Sequence, residues 1–360
     1  MKIGKYEIKH PIIQGGMGVG ISWDQLAGNV SKEGGLGVIS SVGTGYYKKA
    51  SENVNIILRK DKPKDVMNFY SRDAFFEIVE NARKICGDEP LGCNILHACN
   101  DYGRMVKDAC EAGINIIITG AGLPTNMPQF TQDYPDVALV PIVSSARALK
   151  LICKKWKKYN KVPDAIIVEG PLSGGHQGFK YEDCFKEESK LENIVPPVIE
   201  EAKNWGEDIP IIAAGGIWDK NDIDKFIAMG CSGVQMATRF IGTHECDADT
   251  NLKKVLIDSK EDDIKLMKSP VGLPARGVMT NLQKSLEEKT APKVVCISNC
   301  VAPCHRGVEA RAVGYCIADR LGAAYQGDLD TGLFFTGSNG YKVDRLISVH
   351  ELMEKLTKGE

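Results

Sequence analysis

The chain has 360 residues, 43% of them hydrophobic, and a formal net charge of −2. That length supports a large buried core, either as two domains or as one barrel of ~250 residues with insertions. The near-neutral charge leaves no electrostatic footprint for nucleic acid or an anionic membrane, and no apolar run approaches the ~20 residues that span a bilayer.

The first six residues, Met1 to Tyr6, include the basic Lys2 and no apolar signal-peptide stretch, so a cytoplasmic protein is expected. Twelve cysteines are scattered along the chain, and several (Cys86, Cys93, Cys153, Cys231) stand beside apolar residues. They read as buried free thiols in a reducing compartment.

Strands are predicted at residues 11–14, 36–40, 91–95, 115–119, 137–142, 164–169, 211–214 and 233–236. Each is a continuous apolar run, the pattern of strands buried on both faces of a parallel sheet. Helices are predicted between them: 23–31 capped by Ser22, Ser71 to Ile85, Asp101 to near Gly113, Ala146 to Tyr159, and Asp219 to Gly230. Lys154, Lys155, Lys157 and Lys158 suit the C-terminus of the fourth helix, as a solvated, dipole-complementing face. The alternation predicts a (β/α)8 TIM barrel over residues 1–242. Residues 41–70 form a long polar connection, a lid or surface loop. Residues 243–310 carry charge runs such as Glu261 to Asp263 and few strand signals, so an insertion or small helical subdomain with a Cys-rich segment is expected there. Residues 311–360 are expected to supply C-terminal helices that close the barrel.

In such a barrel the active site lies at the C-terminal ends of the strands. The seventh strand runs into Ala214-Gly215-Gly216 and the eighth into Gln235-Met236-Ala237-Thr238. Two successive turns of small residues leading into helices match a phosphate site, because backbone N–H groups reach an anion where no Cβ intervenes. The first strand ends in Gln14-Gly15-Gly16-Met17, where glycines admit a flat ligand and Met17 offers a soft contact to a ring. Asn94, ending the third strand, carries both donors and an acceptor, and reads equally as a helix cap. The sixth strand ends in Glu169 and leads to Gly174-Gly175-His176, placing an imidazole on a flexible turn over the barrel mouth, suited to hold or move a proton. His97, close to the third strand, remains a second candidate.

Taken in order, Gln14 to Met17, Asn94, Glu169 with Gly174 to His176, Ala213 to Ile217 and Gln235 to Thr238 resemble the nitronate monooxygenase family, formerly 2-nitropropane dioxygenase. That family includes the similar FMN-dependent enoyl-acyl-carrier-protein reductase II. The resemblance implies FMN. It places Asn94, Glu169, Gly174, Gly216, Gln235 and Met236 against the cofactor. It puts Gly215, Gly216, Ala237 and Thr238 at the phosphate, and Gly16 and Met17 near the isoalloxazine ring. His176 matches the histidine beside the flavin, as base or polar stabiliser. Two positions depart from the pattern: Glu169 where many nitronate monooxygenases have Gln and the reductases Glu, and Ala237 where the phosphate loop usually has Gly.

The resemblance implies an oxidoreductase that oxidises alkyl nitronates with O2 to carbonyl compounds. The first alternative is an NAD(P)H-dependent enoyl-thioester reductase on the same scaffold, and the second a non-catalytic flavin-binding regulator. A small-molecule substrate is expected, nitronate or enoyl thioester, with NAD(P)H use and a homodimer left open. Cys296, Cys300, Cys304 and Cys316 stand apart. Their spacing matches no ferredoxin pattern and Pro303 interrupts the segment, so free structural thiols are favoured over a metal or cluster.

Overall fold

The eight apolar runs form one parallel sheet in the computed structural model, which describes residues 1–47, 69–206 and 208–359. The strands are β1 (Ile12–Gln14), β2 (Gly37–Ser40), β3 (Leu91–Leu96), β4 (Ile116–Gly120), β5 (Ala138–Val143), β6 (Ile166–Glu169), β7 (Ile211–Ala214) and β8 (Gly233–Met236). They lie in the order β1-β8-β7-β6-β5-β4-β3-β2. A parallel bridge between Ile13 and Leu36 joins the two edges. There the Gln14 amide donates to Leu36 O and the Leu36 amide to Ile12 O, both at 2.9 Å. The result is a (β/α)8 TIM barrel.

Each strand is apolar on both faces because each face meets a different core. Ile13, Val38, Ile116, Ile118, Val140, Ile167 and Ile212 fill the barrel interior. Their strand neighbours, among them Ile12, Ile39, Ile117, Leu139, Ile166 and Ile211, pack against the outer helices. An N-terminal hairpin, Lys2–Ile3 paired with Tyr6–Glu7, adds Ile3 and Ile8 to the interior cluster at the strands' N-terminal ends.

The helices around the barrel are α1 (Asp24–Lys32), α2 (Arg72–Cys86), α3 (Tyr102–Glu111), α4 (Ala146–Trp156), α5 (Leu191–Lys203), α6 (Lys220–Ala228) and the single turn α7 (Thr238–Ile241). Ser71, Ser145 and Asp219 cap α2, α4 and α6 by accepting backbone N–H groups three residues on. The expected Ser22 cap on α1 does not form: the Ser22 hydroxyl takes the Met17 amide at 2.8 Å. Asp247 caps α1 instead, accepting the amides of Trp23, Gln25 and Leu26 at 2.7, 3.0 and 3.2 Å. Helix α5 lacked a clear sequence signal because Pro196 and Pro197 stand inside it; it docks through Leu191, Ile194, Val195, Val198 and Ala202. Of the polar connection at 41–70, residues 48–68 lie outside the described residues.

Beyond the barrel come α8 (Thr250–Asp258), β9 (Ile264–Met267), β10 (Ala275–Val278), α9 (Asn281–Glu287), α10 (Val308–Val313), α11 (Ile317–Tyr325) and α12 (Val349–Lys358). The stretch at 243–310, expected to be an insertion or a small helical subdomain, thus carries helices and also an antiparallel hairpin, β9 with β10. A third short strand, Gly175–His176, adds to it by pairing Ala275 with His176 and Arg276 with Gly175. This sheet ties the segment after β6 to the additions beyond the barrel.

Candidate active site

Parallel strands deliver all their C-terminal ends to one rim. Here that rim opens into a cavity of about 960 Å³. The residues singled out by sequence meet on its walls. Gly16 and Met17 follow β1, Asn94 lies in β3, and Glu169 ends β6 with Gly174 and His176 just beyond. Gly215 and Gly216 follow β7; Gln235, Met236, Ala237 and Thr238 run from β8 into α7. His97 is not on these walls. Its ring packs edge-on against Tyr102, with centroids 4.8 Å apart.

The turn after β7 is open only to glycine. Gly215 and Gly216 have φ of +97° and +83°, the left-handed region that a Cβ disfavours. A Cβ on Gly215 would stand 2.8 Å from the Gly170 carbonyl oxygen, and one on Gly216 3.0 Å from Leu172. Across the cavity, a Cβ on Gly16 would meet Asn94 Cβ at 2.3 Å, so glycine lets the ends of β1 and β3 close together.

A third loop, Leu333 to Asn339, locks the two phosphate-type turns to each other. The Gly337 amide donates to Thr238 Oγ1 at 2.8 Å, and Asn339 Nδ2 donates to Gly216 O at 2.7 Å. Sequence reasoning missed this loop. Its signal was present: an apolar run, Leu333 to Phe335, ending in Thr336-Gly337-Ser338-Asn339, repeats the grammar of the other two turns.

Gln235 presents an unmet demand. Its Oε1 is buried and has no hydrogen-bond partner. A buried acceptor left so costs about 1–3 kcal/mol, and a ligand N–H or O–H in the cavity would recover it. The left-handed glycine turn, the N-terminus of α7 and this orphaned amide oxygen together fit a phosphate-bearing ligand with hydrogen-bonding edges.

His176 is not on a flexible turn as the sequence suggested. It is strand-paired to β10, and Gln177 stiffens the loop by donating from Nε2 to the carbonyls of Ser173 and Gly175, both at 2.9 Å. Arg276 adds a third tie through Nη2 to Pro171 O at 2.9 Å. The imidazole Nε2 lies 2.8 Å from Ser269 Oγ, and its ring stands edge-on to Phe335 with centroids 5.4 Å apart. Burial pushes the His176 pKa down to about 4, so the ring is neutral near pH 7. Burial also pushes Glu169 up to about 7, leaving that carboxyl partly protonated at neutral pH.

Comparison with known proteins gives the class of this enzyme: it is an oxidoreductase of the flavin-dependent kind. The chain belongs to the nitronate monooxygenase family, whose model matches residues 1–359. A protein described as a probable nitronate monooxygenase from Staphylococcus saprophyticus is 27% identical over 298 residues, 79% of this chain and 80% of the relative. From Rhodococcus jostii, a (3aS,4S,5R,7aS)-5-hydroxy-7a-methyl-1-oxo-octahydro-1H-indene-4-carboxyl-CoA dehydrogenase is 26% identical over 282 residues, 78% of this chain but 65% of the relative. Among solved structures, FabK from Thermotoga maritima superposes with a TM-score of 0.73 at 25% identity, covering 98% of this chain and 92% of that one. A nitroalkane oxidase from Streptomyces ansochromogenes shares the fold, with a TM-score of 0.70 at 20% identity over 97% of this chain and 95% of that one. No helix among the described residues is long and apolar enough to cross a membrane.

Proposed function

We propose that this chain is an FMN-dependent nitronate monooxygenase that oxidises alkyl nitronates with O2 to carbonyl compounds. The observation that carries the reading is His176, a neutral imidazole fixed by Ser269 in the same cavity as the glycine turn at Gly215 and Gly216. Amides of Gly215, Gly216, Ala237 and Thr238 would hold the FMN phosphate, using backbone N–H groups and the N-terminus of α7. Asn94, Glu169, Gly174, Gln235 and Met236 would contact the rest of the cofactor, with Gly16 and Met17 beside its ring. Gln235 Oε1 would then gain the donor it lacks. Bound FMN supplies the electron transfer, which no side chain here can perform.

The lowered basicity of His176 sets its role. An imidazole with a pKa of about 4 is a weak base for a carbon acid but a good neutral hydrogen-bond donor to an anion. His176 therefore orients and stabilises a nitronate that arrives already deprotonated. Ser269 Oγ engages Nε2, which leaves Nδ1 free of hydrogen-bond partners among the described residues. Glu169, largely uncharged below pH 7, adds little repulsion to the anion.

The cavity size favours one second reading, an NAD(P)H-dependent enoyl-thioester reductase. Its volume is near the upper end of small-molecule sites. Ile142, Leu172, Ile194, Val271 and Phe335 give it apolar walls beyond the glycine turns, enough for an acyl chain. The likeness to FabK and to the carboxyl-CoA dehydrogenase supports this alternative. Turnover of propionate 3-nitronate in air, with no flavin bleaching by NADH under argon, supports the monooxygenase. Fast bleaching by NADH and reduction of an enoyl thioester, with no nitronate turnover, replaces it with the reductase.

A further inference from the structure

A neutral imidazole carries one hydrogen, on Nδ1 or on Nε2. At His176 the choice decides what the ring offers to the cavity. Nε2 is engaged by Ser269, while Nδ1 has no hydrogen-bond partner among the described residues and is not one of the buried unpartnered atoms. Nδ1 is thus the open nitrogen of a residue that lines the cavity. With the hydrogen on Nδ1, the open nitrogen is a donor. With the hydrogen on Nε2, it is a lone pair, and so a base.

The surroundings of Ser269 separate the two cases. A serine hydroxyl has one hydrogen to give and two lone pairs. One lone pair of Ser269 Oγ takes the Val271 amide at 3.3 Å. The remaining partner in hydrogen-bonding geometry, among the described residues, is His176 Nε2 at 2.8 Å. The Tyr315 hydroxyl also approaches Ser269, without closing a well-formed hydrogen bond, and gives its own hydrogen to Lys268 O at 2.7 Å.

Ser269 is buried, and its backbone is held in a turn that the Gly272 amide closes on Ser269 O at 3.0 Å. A buried donor left unpaired costs about 1–3 kcal/mol, so the hydroxyl hydrogen goes to the acceptor within reach. Nε2 is that acceptor, and the ring hydrogen is left on Nδ1. The imidazole cannot turn away from this arrangement with its backbone, because His176 is strand-paired to Ala275 and the Gln177 amide donates to Pro274 O at 2.8 Å.

We propose that Ser269 is a positioning residue that locks His176 in the Nδ1–H tautomer and thereby restricts the cavity to substrates that arrive as anions. The role rests on the nitronate reading of the site and sharpens it. A nitronate oxygen accepts a hydrogen bond from Nδ1–H. A neutral nitroalkane must first lose its α-proton to a lone pair, and the locked ring has none to offer it. One hydroxyl beyond the barrel would then separate two protonation states of the same carbon skeleton.

The test is the nitrogen-15 spectrum of the holoenzyme labelled at its histidine rings, with the His176 signals identified by their loss in His176→Gln. The expected spectrum has a protonated Nδ1 and an unprotonated Nε2. Tyr315→Phe should leave it unchanged and Ser269→Thr should keep it. Ser269→Ala should give a mixture of tautomers. At pH 6, where Glu169 is mostly protonated and a poor competing base, Ser269→Ala should also lower the ratio of kcat/KM for a nitronate to that for its nitroalkane by about five- to tenfold, the worth of one neutral hydrogen bond. A hydrogen found on Nε2 overturns the proposal. So does a tautomer that switches in Tyr315→Phe, since Ser269 would then be giving its hydrogen to the tyrosine. An unchanged tautomer and ratio in Ser269→Ala removes the lock. A chain that turns over no nitronate refutes the functional reading instead, and the parent spectrum still decides the tautomer even if a variant fails to fold.

Discussion

His176 Nε2 lies 2.8 Å from Ser269 Oγ, across 93 residues of sequence. The serine stands in the turn between β9 and β10, where its oxygen also accepts the Val271 amide at 3.3 Å. Next to it, the Tyr315 hydroxyl donates to Lys268 O at 2.7 Å and holds the turn in place. The orientation of an imidazole after barrel strand β6 is thus set by residues beyond the barrel. A ring held by one nitrogen presents the other in a fixed direction, which is what an oriented hydrogen bond to substrate requires.

Two substitutions grade this relationship. His176→Ala should retain FMN and lower kcat with nitronate by about 10²–10³, the cost of removing one oriented donor to the anion. Ser269→Ala removes one neutral hydrogen bond, worth about 1 kcal/mol, and should lower kcat about five- to tenfold with FMN binding intact. Steady-state kinetics beside cofactor stoichiometry checks both. Unaltered turnover in His176→Ala removes the imidazole from the mechanism.

The pH profile follows from the same ring. Burial places the His176 pKa near 4, below the ordinary value of 6.5. Over pH 5 to 9 the ring keeps one protonation state, so kcat/KM for a nitronate should show no inflection near 6.5 attributable to His176. The His176 contribution should fall only as pH approaches about 4, while ionisation of Glu169 near pH 7 adds a decline on the alkaline side. Comparing the profiles of the parent and His176→Gln isolates this group.

Stability should carry two opposed pH signatures. Glu169 has its folded pKa raised to about 7 from 4.5, so the native state binds more protons than the unfolded chain in that interval. Its contribution is fully present below about 4.5 and is lost as pH rises through 7. His176 has its folded pKa depressed to about 4 from 6.5; its contribution is present above 6.5 and is lost as pH falls through 4. Glu169→Gln should therefore flatten the decline in stability between pH 4.5 and 7 relative to the parent. Denaturant midpoints across that range measure it. Asp247, also raised to about 7 by burial and by Asp24, remains in the variant and supplies the residual slope.

The glycine turn after β7 gives a prediction on affinity. Gly216→Ala places a Cβ at φ of +83° and 3.0 Å from Leu172. The strain of about 1–3 kcal/mol falls on the loop that would receive the phosphate. FMN should bind about tenfold to a hundredfold more weakly, while circular dichroism reports an unchanged fold. Isothermal titration of the apo-protein checks this.

Much of the scaffold was legible in the sequence, for a physical reason. Strands buried on both faces leave unbroken apolar runs, and each of the eight did so. That the candidate residues share one cavity was legible because a barrel sends all strand ends to one rim, so Gly16, Asn94, Glu169, His176, Gly216 and Gln235 could be placed together without knowing any distance. What escaped were contacts made by chain return. The α1 cap comes from Asp247, more than two hundred residues on. The partner of His176 is a serine in a hairpin whose strands have only four residues each. Pro196 and Pro197 hid α5, although its other residues supply a clear buried stripe. These features depend on tertiary approach, which local periodicity does not encode.

The most direct measurement is titration of purified, cofactor-stripped protein with FMN, followed by its visible spectrum. The account requires one FMN bound per chain, with the spectrum of a protein-bound flavin and with affinity reduced in Gly216→Ala. A protein that takes up no FMN, or binds it equally well after the glycine turn is altered, contradicts the placement of the cofactor and with it the role of His176.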